Sequence, residues 1–287
     1  MDFKRIEAIF LVAFLCLDIF LFSIYRQSVN DQTPLNDTST IKIEQRLKDE
    51  KIKFSGQISS KHQDGYYLSA TQTNLSHELE VNKEKRSFQG SVKDNVLTFT
   101  PDRLNQVSKK KQIQGLIEDY LSDKQSTIFG KDYQLESVFT QENENYSDWF
   151  ACQQYEGLPI NDMTAQIKYT VKKNEKNYTV EKVQQMHLSN LTALREKMQL
   201  VSQEDALTTL YVNNKLSKND EILWSELAYT LVLQVRGKNV YVPAWFVAIR
   251  HEDKKEQIEI VNAFRNRIIT NSSVVSVNYF PRKIKKL

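Results

Sequence analysis

The residues able to do chemistry in this chain are few and dispersed. Four histidines, His62, His77, His187 and His251, lie far apart, and none falls in an H-E-x-x-H or other zinc-ligand spacing. His187 ends a strand pattern, and His251 with Glu252 and Asp253 falls in a predicted hairpin turn where solvation is the default. Cys152 could serve as a thiol nucleophile only with a distant histidine, and its setting, SDWFACQQYEG, reads as a strand with a packed cysteine. There is no G-x-S-x-G elbow, no S-x-x-K and no phosphate-cradling glycine loop, and seven glycines leave little bare backbone to approach a ligand. Carboxylates are plentiful, but one sequence does not pair them across a fold. No catalytic residue, metal ligand or cofactor is therefore named, and the expectation is a protein that is not an enzyme.

Aromatic clusters are the remaining candidates. Trp149 and Phe150, and the group Tyr241, Trp245 and Phe246, sit in strand patterns and are expected in the core. Tyr66 and Tyr67 follow a polar Asp64-Gly65 turn, so core and an outer interface are balanced readings for them.

What must position anything functional begins at the N-terminus. From Ile6 to Tyr25 the chain is apolar apart from Glu7 and Asp18, and this span measures about 30 Å as a helix at ~1.5 Å per residue, matching a bilayer core. It lacks the small-residue cleavage pattern of a signal peptide, so it reads as an uncleaved single-pass anchor. Lys4 and Arg5 set the topology, cytoplasmic before the span and extracellular after it. A carboxylate inside a bilayer costs about 2.5–3.5 kcal/mol and tends to face a protein partner. Leu11, Phe14, Leu15, Phe22 and Tyr25 lie around Asp18 at helical spacing, which makes this face the candidate contact with other transmembrane helices; the plainer reading is that the other 19 residues outweigh one Asp, helped by protonation or a slight shift towards the interface.

Charged residues make up 26% and hydrophobic residues 40%, as in a folded globular chain. The two cysteines, Cys16 in the span and Cys152 outside, leave no disulfide to the outer part, which fits a bacterial, Gram-positive surface. Residues 265–287 hold Arg265, Arg267, Arg282, Lys283, Lys285 and Lys286 and no acid, a basic end suited to anionic lipid, wall polymer or an acidic partner, with solvation as the default. Nucleic acid is not an expected partner on that side of a membrane.

The organisation expected is a cytoplasmic leader (1–5), a transmembrane helix (6–25), a polar linker (26–40), a first extracytoplasmic α+β subdomain (41–195), a second one (196–270) and a basic tail (271–287). The fold class is α+β, antiparallel sheets with a few helices. A short amphipathic helix starts near Ile43, and SFQGSVKDNVLTFTP forms a hairpin turning at Lys93-Asp94-Asn95. A helix over 102–122 precedes strands at YQLESVFTQ, SDWFACQQYEG, MTAQIKYTVKK and NYTVEKVQQMHL. Ile167, Tyr169 and Val171 alternate with Gln166, Lys168 and Thr170, as along a strand. Ser202 and Asp205 make a capping box for a second helix, followed by SELAYTLVLQV, VYVPAWFVAIR and QIEIVNAF. This later unit is similar to the PepSY module, and GLPINDMTAQIKYTV is its suspected counterpart in the first.

With the LDIF setting of Asp18 in IFLVAFLCLDIFLFSIY, with GLPINDMTAQIKYTV, and with PAWFV and IEIVNAF, the whole chain resembles the YycI (WalI) proteins of low-GC Gram-positive bacteria. The resemblance implies a non-enzymatic, membrane-anchored regulator. It would bind a YycH-like protein and the WalK sensor histidine kinase, and so modulate the WalK/WalR system governing cell-wall metabolism. The helix at 6–25 would contribute to the kinase contact. The family supplies no catalytic residues, the sign of regulation stays open, as does a homodimer, and the basic tail is a departure from the family pattern. Two rivals stand beside this reading: a membrane-tethered PepSY-type inhibitor of an extracellular protease or wall enzyme, and a wall-active enzyme.

Overall fold

The computed structural model describes residues 3–30, 42–101 and 106–270, with side chains of the first helix described over 7–23. Helix α1 spans Phe3–Asn30 and so runs past Tyr25, where the linker was expected to begin. Its described side chains are all exposed. Among the described residues no helix is long and apolar enough to cross a membrane. Residues 31–40 of the expected linker, the basic tail 271–287, and the side chains of Lys4, Arg5 and Tyr25 lie outside the described residues.

The rest is α+β with mostly antiparallel sheets, as the patterning indicates. A seven-stranded sheet is built on the long hairpin Glu221–Val235 and Lys238–Arg250. Its turn, Arg236-Gly237, takes φ of 48° and 78°, the paired left-handed geometry that lets a two-residue turn follow the twist of the strands. The far edge of the second strand serves two partners. Residues 238–241 pair with 68–71, and residues 244–250 pair with Glu256–Asn262. Pro243, with no N–H to give, sits at the changeover. Short strands from early in the chain complete this sheet: Lys53–Phe54 runs parallel to Glu221–Ile222, and Leu68–Gln72 also pairs with Leu188–Ala193.

A nine-stranded sheet takes most of the middle of the chain, with Gln166–Lys173 held between Tyr146–Tyr155 and Tyr178–Gln185. Its hairpin Gly90–Lys93 to Val96–Phe99 turns at Asp94 and Asn95, both at positive φ. After α2 (Ile43–Asp49) and α3 (Leu75–Val81) come α4 (Ile113–Ser122) and α5 (Gln203–Val212), one for each sheet. Ile113, Ile117, Tyr120 and Leu121 of α4 pack on Trp149, Ile167, Tyr169 and Val171. Ala206, Leu207 and Leu210 of α5 pack on Leu227, Trp245 and Val247, joined by Ile43 and Leu47 of α2. The capping box of α5 forms as expected, with the Ser202 N–H donating to Asp205 Oδ2 at 2.9 Å and the Asp205 N–H donating to Ser202 Oγ at 3.1 Å.

One expectation is corrected. The helix read over 102–122 starts only at Ile113. Gln106–Val107 instead forms a strand against Tyr178–Thr179, because the backbone there completes a sheet edge ahead of the Lys109-Lys110-Lys111 run; residues 102–105 lie outside the described ones. The polar side of Gln166–Lys173 does not face water. Gln166, Lys168 and Thr170 stand opposite Cys152, Phe150 and Asp148, and Phe150 and Cys152 pack on Ala228, Ala244, Phe246 and Ile260 of the other sheet. The two sheets therefore cover each other, and Lys168 is enclosed with Asp148 at 2.8 Å.

Candidate functional site

Where the sheets meet, a cleft of about 440 Å³ opens. One wall comes from Gln134 to Phe139, the turn after the strand Tyr133–Leu135, whose entry is fixed by the Glu136 N–H donating to the Phe150 carbonyl at 2.9 Å. The second wall is the turn at Gly157-Leu158-Pro159, and the third is Glu226, Leu227 and Trp245 from the long hairpin. Gln63 closes one side. Trp245 is buried, with its indole N–H donating to the Val201 carbonyl at 2.9 Å, so it is a wall and not a swinging platform.

Two carboxylates give the cleft its character. Burial raises the Glu136 carboxyl above the usual carboxylate range, the Gln154 amide donating to it at 2.9 Å pulls the other way, and the Glu226 charge raises it further. Desolvation also raises Glu226. Glu136 is half-buried and Glu226 exposed, so the two place negative charge at the mouth of the cleft. The Glu136–Glu226 pairing escaped sequence reading because the two residues come from different sheets. Only the fold joins them, and no local motif marks either.

The histidines are more organised than their spacing indicated. His187 is buried, donating or accepting at Asp132 Oδ2 (2.9 Å) and Thr73 Oγ1 (2.7 Å), and is stacked on Phe129 with ring centroids 4.4 Å apart. Desolvation lowers its pKa, with Asp132 opposing. His251 is not simply solvated in a turn: its Nδ1 lies 3.0 Å from the carboxylate of buried Asp220, which also accepts from the Ser217 N–H. Each is a clamp between distant segments. Cys152 is fully buried, and burial pushes its thiol far up, away from nucleophilic use. Among the described residues no group of three or more His, Cys, Asp or Glu is placed to hold a metal.

Tyr66 and Tyr67 are both half-buried. Tyr66 meets Tyr155 edge-on at 5.9 Å and Tyr67 stacks on Phe264 at 4.5 Å, with Lys197 and Arg195 over their respective rings. Core and surface roles are therefore combined at these two positions. Leu11, Phe14, Leu15, Asp18 and Phe22 are all exposed along α1. Trp149, Phe150, Tyr241, Trp245 and Phe246 are in the core.

No curated protein matches the chain. Among solved structures, a crystal structure of an uncharacterized protein from Eubacterium rectale ATCC 33656 aligns over 72% of this chain and 86% of its own, at 10% identity and a TM-score of 0.38, a likeness too distant to carry an argument. A family profile described as "YycI protein" matches residues 30–264, well over half of the 287 residues. On that match the chain belongs to the YycI family, whose members are regulatory accessory proteins of the WalK/WalR two-component system.

Proposed function

We propose that this chain is a membrane-anchored, non-catalytic regulator whose helix α1 binds a WalK-type sensor histidine kinase, while its outer domain binds a YycH-like protein. In this reading the N-terminus is cytoplasmic, residues 6–25 cross the cell membrane, and the sheets lie outside, acting on the control of cell-wall metabolism. The observation that carries it is α1 itself. From residue 7 to 23 its side chains are exposed all round, and Ile9, Phe10, Leu11, Val12, Phe14, Leu15, Leu17, Ile19, Phe20, Leu21 and Phe22 are large and apolar. A helix apolar on every side needs lipid or protein around it. Between Ala8 and Phe22 Asp18 is the one charged residue in that surface, and a carboxylate there is best satisfied by a partner helix.

Regulation requires that α1 bind one kinase state more tightly than another, and a difference of about 1.4 kcal/mol gives a tenfold bias. Co-purification of the kinase with wild-type, Asp18→Asn and Asp18→Leu protein tests this, with kinase autophosphorylation read in parallel. Loss of association with Asp18→Leu, partly restored in Asp18→Asn, is the expected result. Unchanged association and unchanged kinase output in both variants remove Asp18 from the contact.

A further inference from the structure

The turn of the long hairpin differs in chemistry from the other hairpin turns of the sheets. Those at 94–95, 174–177 and 251–255 carry acids, among them Asp94, Glu175 and Asp253. The turn at Arg236-Gly237 carries none, and its shoulders are Leu233 and Val235, 53% and 44% exposed. No Asp or Glu occurs in the strand segments that meet around it, 231–241, 68–72 and 188–193. Arg236 and Lys238 are exposed cations with no ion pair among the described residues. The tip is also firmly backed. Residues 238–241 stay paired with 68–71 on one side. The opposite edge is covered as far as Leu231, whose backbone N–H faces the buried Asp162 carboxylate, and no described strand pairs 232–235 beyond it. A Cβ at Gly237 would meet nothing within 4 Å, so the turn stands clear.

Aliphatic side chains beside unpaired cations, on a rigid tip without acids, match the interface of a negatively charged membrane. The aliphatic groups enter the boundary between headgroups and acyl chains, and the cations stay with the anionic headgroups. We propose that the Leu233–Lys238 tip docks on the surface of an anionic bilayer. The inference rests on the reading of α1 as an anchor, because a tip tethered to a bilayer meets it at high effective concentration. Docking gives the outer domain a second hold on the membrane and so one orientation against it. The strength of that hold follows the anionic lipid content, which makes the pose of the domain sensitive to membrane charge.

The test uses the full chain in vesicles of phosphatidylglycerol with phosphatidylcholine, or of phosphatidylcholine alone, with the lipids brominated high in the acyl chain. A Gln234→Cys/Cys16→Ser variant carries a fluorophore on the tip, since Cys152 is fully buried. In the wild type the same fluorophore sits on Cys16, exposed on α1. Bromine quenching of the tip label in the anionic vesicles, and much less in phosphatidylcholine alone, is expected. Each cation near an anionic surface is worth about fivefold, so adding Arg236→Gln and Lys238→Gln lowers the docking equilibrium about 30-fold. A tip seated about nine-tenths of the time is then seated about one-quarter of the time. Leu233→Ser with Val235→Ser releases the label as well. All four positions are exposed, and circular dichroism checks that the variants fold. A tip label unquenched in anionic vesicles, or quenched equally without the two cations, overturns the proposal. Shielding from iodide without bromine quenching assigns the tip to a protein contact and overturns it too. With the Cys16 label quenched in the same vesicles, such a failure belongs to the tip alone. An unquenched Cys16 label refutes the anchor reading, whatever the tip does.

Discussion

Lys168 and Asp148 offer the sharpest quantitative test of how the two sheets are held together. Their side chains are only 11% and 10% exposed, with Nζ 2.8 Å from Oδ2, and Thr170 donates its hydroxyl to the same carboxylate at 2.9 Å. Lys168→Met removes the cation and leaves a charged oxygen pair enclosed with one hydroxyl donor still in place. Breaking such a buried pair costs about 3–5 kcal/mol, against about 0.2–1 kcal/mol for a pair in open solvent. For a unit of this size each kcal/mol moves the midpoint by roughly 2–4 °C, so a fall of roughly 6–20 °C is expected. Replacing both residues, Lys168→Met with Asp148→Leu, removes the stranded charge and should return stability to within about 2 kcal/mol of wild type, since apolar substitutes often match a buried pair. Urea unfolding of Lys168→Met, of Asp148→Leu alone and of the double variant, followed by tryptophan fluorescence with the slope checked for constancy, measures all three differences. A single-variant loss below about 1 kcal/mol refutes the enclosure argument. So does a double variant as damaged as the two single variants combined.

Two further outcomes follow from the same structure. His187 has its pKa lowered by burial, so above the ordinary histidine value of about 6.5 it is neutral whether folded or unfolded and has no effect on the pH dependence. As pH falls below that value the unfolded chain takes up a proton that the folded chain resists, and stability drops by up to about 1.4 kcal/mol per pH unit until the folded value is reached; a His187→Gln variant should lose this slope, and an unchanged slope sinks the assignment. Gly130 approaches α4 so closely that an added Cβ would lie 2.2 Å from the Leu121 carbonyl oxygen, a backbone atom that cannot move aside, so Gly130→Ala should destabilise by about 2 kcal/mol or more in the same unfolding assay.

Local chemistry was legible in the sequence wherever the deciding interaction is local. Ser202 and Asp205 form their cap from residues three apart, and Asp94-Asn95 turns a hairpin because both accept positive φ. The strands read at 225–235, 240–250 and 257–264 form, the first beginning four residues earlier, at Glu221. What failed was anything decided across the sheets. Alternation marks the strand at Lys168 but not its enclosure, which comes from Phe246 and Ile260 of the other sheet packing on its neighbours Phe150 and Cys152. Val107 fits a helical face, yet its backbone completes a sheet edge beside Tyr178. Glu136 and Glu226 carry no local sign of their shared cleft, and the placement of Leu68–Gln72 beside Lys238–Tyr241 depends on pairings that no window of the sequence contains.

That placement has a consequence for how the chain is made. Lys53 must pair with Glu221, and Leu68 with Tyr241, so strands synthesised first wait for partners synthesised among the last. Contacts so distant in sequence slow folding, because loop closure is costly before any contact is gained. During synthesis the early strands would emerge with open edges until the Glu221–Arg250 hairpin arrives. Completion of the sheet is then a late, single event. A chain interrupted before that hairpin leaves the early strands without partners, which makes the hairpin a checkpoint between a partial sheet and a finished one.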